Sequence, residues 1–357
     1  MPHLFRTFGN PVSSIQHPGS SIRNPETRIC LRNTQMDIKG SLLVIHPGAL
    51  GDVVLSFFSI ERLAGCFSSV HLVCQSEIGK IAHRLGIVDR SFALESAFFA
   101  GLYGPPSARL SAWLAEFDTI LLFSISEELE NQVRKQAAAD VVRIAPRPEP
   151  NVRIHVTDHL AAEIGRSGLF KGHRCDDARR AKAGFRDRRD ENADVGIVLL
   201  HPGAGSRKKR WPVQRFFEAA RRLEADGLSP HFLLGPAETD LAPVIGRENK
   251  PLTLVEDAVS LLKCLQMAGS LVGNDSGVSH LAAFIGLSTV AVFGPSDPVR
   301  WAPKGRAAVP VFAEGIDCLP CVEDTDHDCR QRRCIEAVTV KAVVDALERL
   351  SGDMIRC

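Results

Sequence analysis

The sequence has almost no net charge: 43 Lys and Arg stand against 42 Asp and Glu, a formal +1. No global field selects nucleic acid over other partners, so electrostatic recognition must come from local patches. No apolar run is long enough to span a bilayer, since the best candidate, 281–294, is short and interrupted by Gly286, Ser288 and Thr289. The expectation is a soluble or peripheral protein. The first 35 residues contain no apolar h-region of a secretory signal, and Glu26 is their only acid among Ser, Pro, Asn and Arg. A disordered extension over 1–40, a cytoplasmic location and a start at Met36 are therefore expected, with a transit peptide as the alternative.

What remains is the composition of a folded chain. Its 357 residues, 45% hydrophobic and 24% charged, suffice for two domains with separate cores. Ten cysteines are scattered rather than packed into a small secreted scaffold. Only Cys318, Cys321, Cys329 and Cys334 form a dense group. Residues 42–45 form a short apolar run ending in His46-Pro47-Gly48-Ala49, and the apolar-rich 53–63 can follow as a helix. Strand candidates at 70–74, 119–123 and 140–144 alternate with helical stretches at 77–85 and 126–136, which implies a parallel sheet covered on both faces.

The same opening returns about 155 residues later, as Val198-Leu199-Leu200-His201-Pro202-Gly203-Ala204. Two similar domains in tandem follow from it. Pro212 is expected as a first helical residue, with Val213, Phe216, Phe217, Ala220 and Leu223 on one face and Gly227 as the stop. Further strands are expected at 231–234, 252–254, 270–273 and 289–293. The organisation read from this is an N-terminal domain over 41–165, a basic linker over 166–192, a C-terminal domain over 193–350 and a tail over 351–357. Between Arg166 and Arg189 nine Lys and Arg face three Asp. That stretch is either a solvated linker or a landing surface for a phosphorylated glycolipid or an anionic membrane.

Four segments lie where strands end and helices begin, the place where open parallel sheets bind ligands. In Gly48-Ala49-Leu50-Gly51-Asp52, Gly48 and Gly51 let a substrate approach the backbone, and Asp52 is either a free carboxylate or the cap of its own helix. In the segment running from His201 through Gly205, Ser206 and Lys209 to Pro212, small residues and four cations precede a helix, a setting for a diphosphate. The spacing is not that of a P-loop, and a solvated cationic loop is the alternative. Asp275, Ser276, Gly277 and His280 open a third helix, either as a ligand site or as a turn that caps itself. Gly294-Pro295-Ser296-Asp297-Pro298, with Trp301 after it, is a rigid turn whose direct role in chemistry the sequence leaves open.

These segments, taken in order, resemble glycosyltransferase family nine, the ADP-heptose:lipopolysaccharide heptosyltransferases, over roughly residues 41 to 350. The resemblance implies an α/β GT-B fold: two Rossmann-like parallel-sheet domains facing across a cleft, with the acceptor on the first and the nucleotide sugar on the second. It implies an inverting, metal-independent transfer of a sugar, heptose from ADP-heptose, to a lipopolysaccharide core or related glycolipid acceptor. Asp52 stands at the family's general base, Ser206 and Lys209 in its phosphate segment, and Asp275, Ser276, Gly277 and His280 in its donor turn. Glu238 resembles the acid that holds the ribose or base. Many members carry Arg or Lys after the first strand, where this chain has His46-Pro47-Gly48, so contacts to acceptor or phosphate differ there.

The residues support the same chemistry independently. An acceptor hydroxyl needs a carboxylate to take its proton, and Asp52 is the candidate. A leaving diphosphate needs stabilised charge, which Lys209, Ser206 and the Gly277 amide can provide. The expected partners are a nucleotide sugar and a glycolipid acceptor, with peripheral contact at the cytoplasmic face of the inner membrane and no nucleic acid. No cofactor and no catalytic metal are expected. The spacing of Cys318, Cys321, Cys329 and Cys334 permits zinc, but reduced thiols are the expected state, with disulfides the other alternative. Two alternatives to sugar transfer are a NAD-dependent oxidoreductase, against which neither turn has G-x-G-x-x-G, and a nucleotide-binding protein without turnover.

Overall fold

The computed structural model describes residues 39–170, 186–316, 321, 329 and 332–355. The expected extension before residue 39, the middle of the basic stretch and Cys318 lie outside the described residues. The first lobe contains β1 (Lys39–Ile45), β2 (Phe67–Cys74), β3 (Arg90–Ala93), β4 (Thr119–Phe123) and β5 (Asp140–Ile144), in the spatial order β3-β2-β1-β4-β5. The second contains β6 (Asp194–His201), β7 (Ser229–Leu234), β8 (Leu252–Leu254), β9 (Ala268–Asn274), β10 (Ser288–Val292) and β11 (Ala308–Val311), in the order β11-β10-β9-β6-β7-β8. Every pairing is parallel.

The alternation of apolar runs and amphipathic stretches thus gives two sheets of one plan. In each, the strand order reverses beside the first strand, between β1 and β4 and between β6 and β9. A crevice opens at the carboxyl ends of such a pair. Strands β4, β9 and β10 are buried along their whole length, as strands covered on both faces must be. β3 and β11 were not expected. Both are four-residue edge strands; the first has no apolar run, and Pro310 in the second cannot donate to a ladder.

The lobes meet along two helices. Leu50–Ala64 follows β1, and Gly277–Ile285 follows β9. Phe57 and Phe58 of the first pack their rings on Phe284 of the second, with centroids 5.3 and 4.9 Å away. Their backbones approach closely at two glycines: a Cβ on Gly277 would lie 2.8 Å from the Leu50 Cβ and 3.0 Å from the Gly51 nitrogen. Lower on the seam, Arg188 donates from Nη2 to Glu61 Oε1 at 2.6 Å and stacks over Phe284.

Pro212 is the N-cap of the helix Val213–Ala225 rather than its first residue; its ψ of 132° is extended, so helical geometry begins one position later. Gly227 takes a φ of +81°, the left-handed conformation that ends the turn after this helix without a Cβ penalty. Among the described residues no helix is long and apolar enough to cross a membrane.

Candidate active site

The turn after β1 carries Asp52 into the first turn of the helix Leu50–Ala64. The N-cap is Ala49 and no side chain caps this helix, so the capping alternative for Asp52 is excluded. Asp52 is the third helical residue, a position from which an acid can reach back to the first amides, but no such capping bond is formed. Across the crevice, Ser276 is the N-cap of Gly277–Ile285, its Oγ accepting from Ser279 N at 3.3 Å, so here the turn does cap its own helix. A cavity of about 440 Å³ lies between the two turns. Gly51, Asp52 and Arg147 line it from the first lobe; Gly205, Lys209, Asp275, Ser276, Gly277, His280 and Ser296 line it from the second.

Asp275 organises the second wall. Its Oδ2 accepts from Lys209 Nζ at 2.7 Å and from Ser296 Oγ at 2.5 Å, while His280 Nε2 lies 3.7 Å from Oδ1. Burial alone would raise the carboxyl pKa, but the neighbouring His280 and Lys209 outweigh it and hold Asp275 well below the usual carboxylate range. The aspartate is therefore an anion that fixes Lys209, on the turn after β6, to the mouth of a helix. His280 is buried, and among the described residues its Nδ1 has no hydrogen-bond partner. An orphaned polar atom in a cavity wall is the kind of group a ligand satisfies.

Gly48, Ser206 and Glu238 are not among the lining residues. Gly48 N donates to His46 Nδ1 at 3.1 Å, and the exposed Ser206 accepts from Lys208 N at 3.3 Å. Glu238 is turned inward: Gly235 N donates to its Oε2 at 3.1 Å, Arg210 lies 3.7 Å away, and its carboxyl group packs where a Cβ on Gly203 would be. The two histidines of the repeated turn are core residues. Burial lowers the pKa of His46 to about 4, and burial followed by the charge of Arg210 lowers that of His201 to about 4. At His46 the turn thus presents a neutral ring packed 4.9 Å from Phe123.

The fourth segment, whose role was open, ties the lobes together. Asp297 caps the short helix Pro298–Trp301 and accepts from Arg153 Nε at 2.7 Å and Nη2 at 3.1 Å. Arg300 donates to the carbonyls of Pro150 and Pro148 at 2.6 and 2.8 Å, and His155 Nε2 meets Ala302 O at 2.8 Å. Residues 148–155 of the first lobe are thereby clasped to residues 297–302 of the second. Arg153, Arg300 and His155 were missed because nothing in their local sequence marks a contact about 150 positions away.

At the described ends of the basic stretch, Arg166 pairs with Glu163, Arg186 and Arg188 with Glu61, and Arg189 with Asp187. Those arginines serve the protein's own surface and seam. Cys334 is buried and the Cys321 amide donates to Pro295 O at 2.9 Å. Among the described residues no group of three or more His, Cys, Asp or Glu is placed to hold a metal ion.

A family model for glycosyltransferase family 9 (heptosyltransferase) matches residues 160–329. The matched stretch contains the turn that carries Lys209, the Asp275 turn and the second-lobe side of the clasp, residues 297–302. Over this stretch, just under half of its length, the chain is similar to glycosyltransferase family 9. It is 28% identical to lipopolysaccharide heptosyltransferase 3 of Escherichia coli over 44% of this chain and 49% of that protein. To lipopolysaccharide heptosyltransferase 1 of Pseudomonas aeruginosa it is 31% identical, over 38% of this chain and 39% of that one. The chain thus spans about half the length, or less, of these curated relatives. In fold it resembles a family 9 glycosyltransferase from Veillonella parvula, with a TM-score of 0.66 at 18% identity over 90% of this chain and 99% of the other. It also resembles E. coli heptosyltransferase WaaC solved with ADP, with a TM-score of 0.61 at 15% identity over 87% and 99%. The two parallel-sheet lobes form a GT-B fold, the fold of these structural neighbours.

Proposed function

We propose that this chain acts as a family 9 glycosyltransferase and transfers a sugar, heptose from ADP-heptose, to a hydroxyl of a lipopolysaccharide core or related glycolipid acceptor, with inversion at the anomeric carbon. One observation carries the reading: a single cavity is lined by an uncapped carboxylate from one lobe and, from the other, by Lys209, His280 and the start of a helix. Asp52 takes the proton of the acceptor hydroxyl as its oxygen bonds to the anomeric carbon. The bond from that carbon to the diphosphate oxygen breaks, and the electron pair leaves with ADP. Lys209 and the helix mouth at Gly277 stabilise the developing charge. His280 contributes its unpaired Nδ1 to the donor. The names of the relatives support heptose and a lipopolysaccharide acceptor, and the fold neighbour solved with ADP supports the nucleotide.

The test is an assay of ADP release from ADP-heptose with heptose-accepting lipopolysaccharide core, alongside calorimetry with ADP, UDP, GDP, CDP and NAD. Tight binding of ADP and acceptor-dependent turnover are expected. Binding of NAD alone would overturn the reading in favour of an oxidoreductase.

A further inference from the structure

The repeated His-Pro-Gly-Ala turn is held differently in the two lobes. In the first, Gly48 N bonds back to His46 Nδ1, and Gln75 Nε2 reaches Gly48 O at 3.4 Å. The residue just after the neighbouring strand β4, Ser124, spends its hydroxyl on its own turn, accepting from Ser126 N at 3.0 Å. In the second lobe the corresponding position after β6 is gripped from β9. Asn274 is completely buried; its Nδ2 donates to Pro202 O at 2.9 Å and Gly203 O at 3.1 Å, and its Oδ1 accepts from Trp211 N at 2.9 Å. One amide therefore holds both ends of the segment 202–211, the stretch that carries Gly205 and Lys209. The next residue, Asp275, bonds Lys209. Pinning the loop ends to residue 274 brings the lysine to residue 275.

Resting on the assignment of this loop to the donor diphosphate, we infer that Asn274 is a positioning residue that pre-forms the donor site, a role the acceptor turn has no counterpart for. It lies outside the cavity lining and acts through the loop. Only an amide fits: the site demands two donated hydrogens toward carbonyls and one accepted from an N–H, and Asn alone among side chains of its size supplies both. A loop already ordered before binding spares the donor the entropy of ordering it.

The experiment uses Asn274→Asp, which keeps the shape and the acceptor for Trp211 N but turns an oxygen toward two carbonyl oxygens. Asn274→Ser, which removes most of the grip without adding charge, is the second variant. Calorimetry with ADP, thermal melting, amide hydrogen exchange over 202–211, and kcat and KM for donor and acceptor are measured on parent and variants. Expected are a Kd for ADP raised about ten- to a hundredfold, a matching rise in donor KM, faster exchange confined to 202–211, and an unchanged acceptor KM. Faster loop exchange in a folded variant with ADP affinity within twofold of the parent, or equal rises in both KM values, would overturn the inference. A parent that binds no ADP would instead overturn the functional reading on which it rests.

Discussion

Replacing Asp52 by Asn separates the general-base role from every structural one. The side chain closes no helix end, since Ala49 is the N-cap and no capping bond forms there. Its remaining structural value is that of an acid in the first turn of a helix, about 0.3–1 kcal/mol. Asparagine keeps the volume but cannot take a proton at neutral pH. Stability should then fall by no more than about 1 kcal/mol, and ADP affinity should hold, because Lys209, Gly277 and His280 belong to the other lobe. The loss belongs in kcat. General-base catalysis contributes about 10² to 10⁴ in rate, or roughly 2.7 to 5.5 kcal/mol of barrier. Coupled detection of ADP release under saturating donor and acceptor measures kcat, and urea melts measure stability in parallel. If Asp52→Asn retains more than about a tenth of the parental kcat while folded and binding ADP, the proton goes elsewhere and the reasoning fails.

Lys209→Ala and His280→Ala should each raise the Kd for ADP by about ten- to a hundredfold; unchanged affinity in both, by calorimetry, removes the proposed donor wall. Gly277→Ala keeps the amide but places a Cβ 2.8 Å from Leu50, so the lobes must part. Turnover should fall by more than ADP affinity does, and equal losses would assign the residue to nucleotide contact alone. His46 and His201 have folded pKa values of about 4 against an ordinary 6.5, so the unfolded chain binds more protons between those values. Their stabilising contribution is complete above about pH 6.5 and is lost as the pH falls toward about 4, by up to roughly 3 kcal/mol for each. Urea midpoints that stay level between about pH 7 and pH 4.5 would contradict this.

The plan of the fold was legible because both of its signals are local. Apolar runs such as Thr119–Phe123 are short and buried on both faces, and the duplicated turn at His46 and His201 marks the first strand of each sheet. Of the four edge strands, Asp140–Ile144 and Leu252–Leu254 were legible, but Arg90–Ala93 and Ala308–Val311 were not, since they owe their conformation to the neighbour they pair with. Propensity alone argues against a strand through Pro310.

The candidate site divides in the same way. Residues whose chemistry shows in their type and spacing, Asp52, Lys209 and His280, line the cavity, whereas Glu238 faces its own helix start and Gly203. What local sequence could not supply is the set of contacts between distant segments: Asn274 on Pro202 and Trp211, Arg153 on Asp297, Gly51 against Gly277. Each side chain or backbone atom involved is commonplace on its own and acquires its role only from a partner in another strand, turn or lobe. Gly51 and Gly277 show the consequence most directly. Read singly, each glycine admits a substrate to the backbone; read together, they admit each other, and the spacing of the two lobes is set where the Asp52 helix meets the helix that opens at Lys209's anchor. The approach of Asp52 to the second-lobe wall of the cavity is thus set by the absence of two Cβ atoms, which is why a single added methyl at Gly277 tests it.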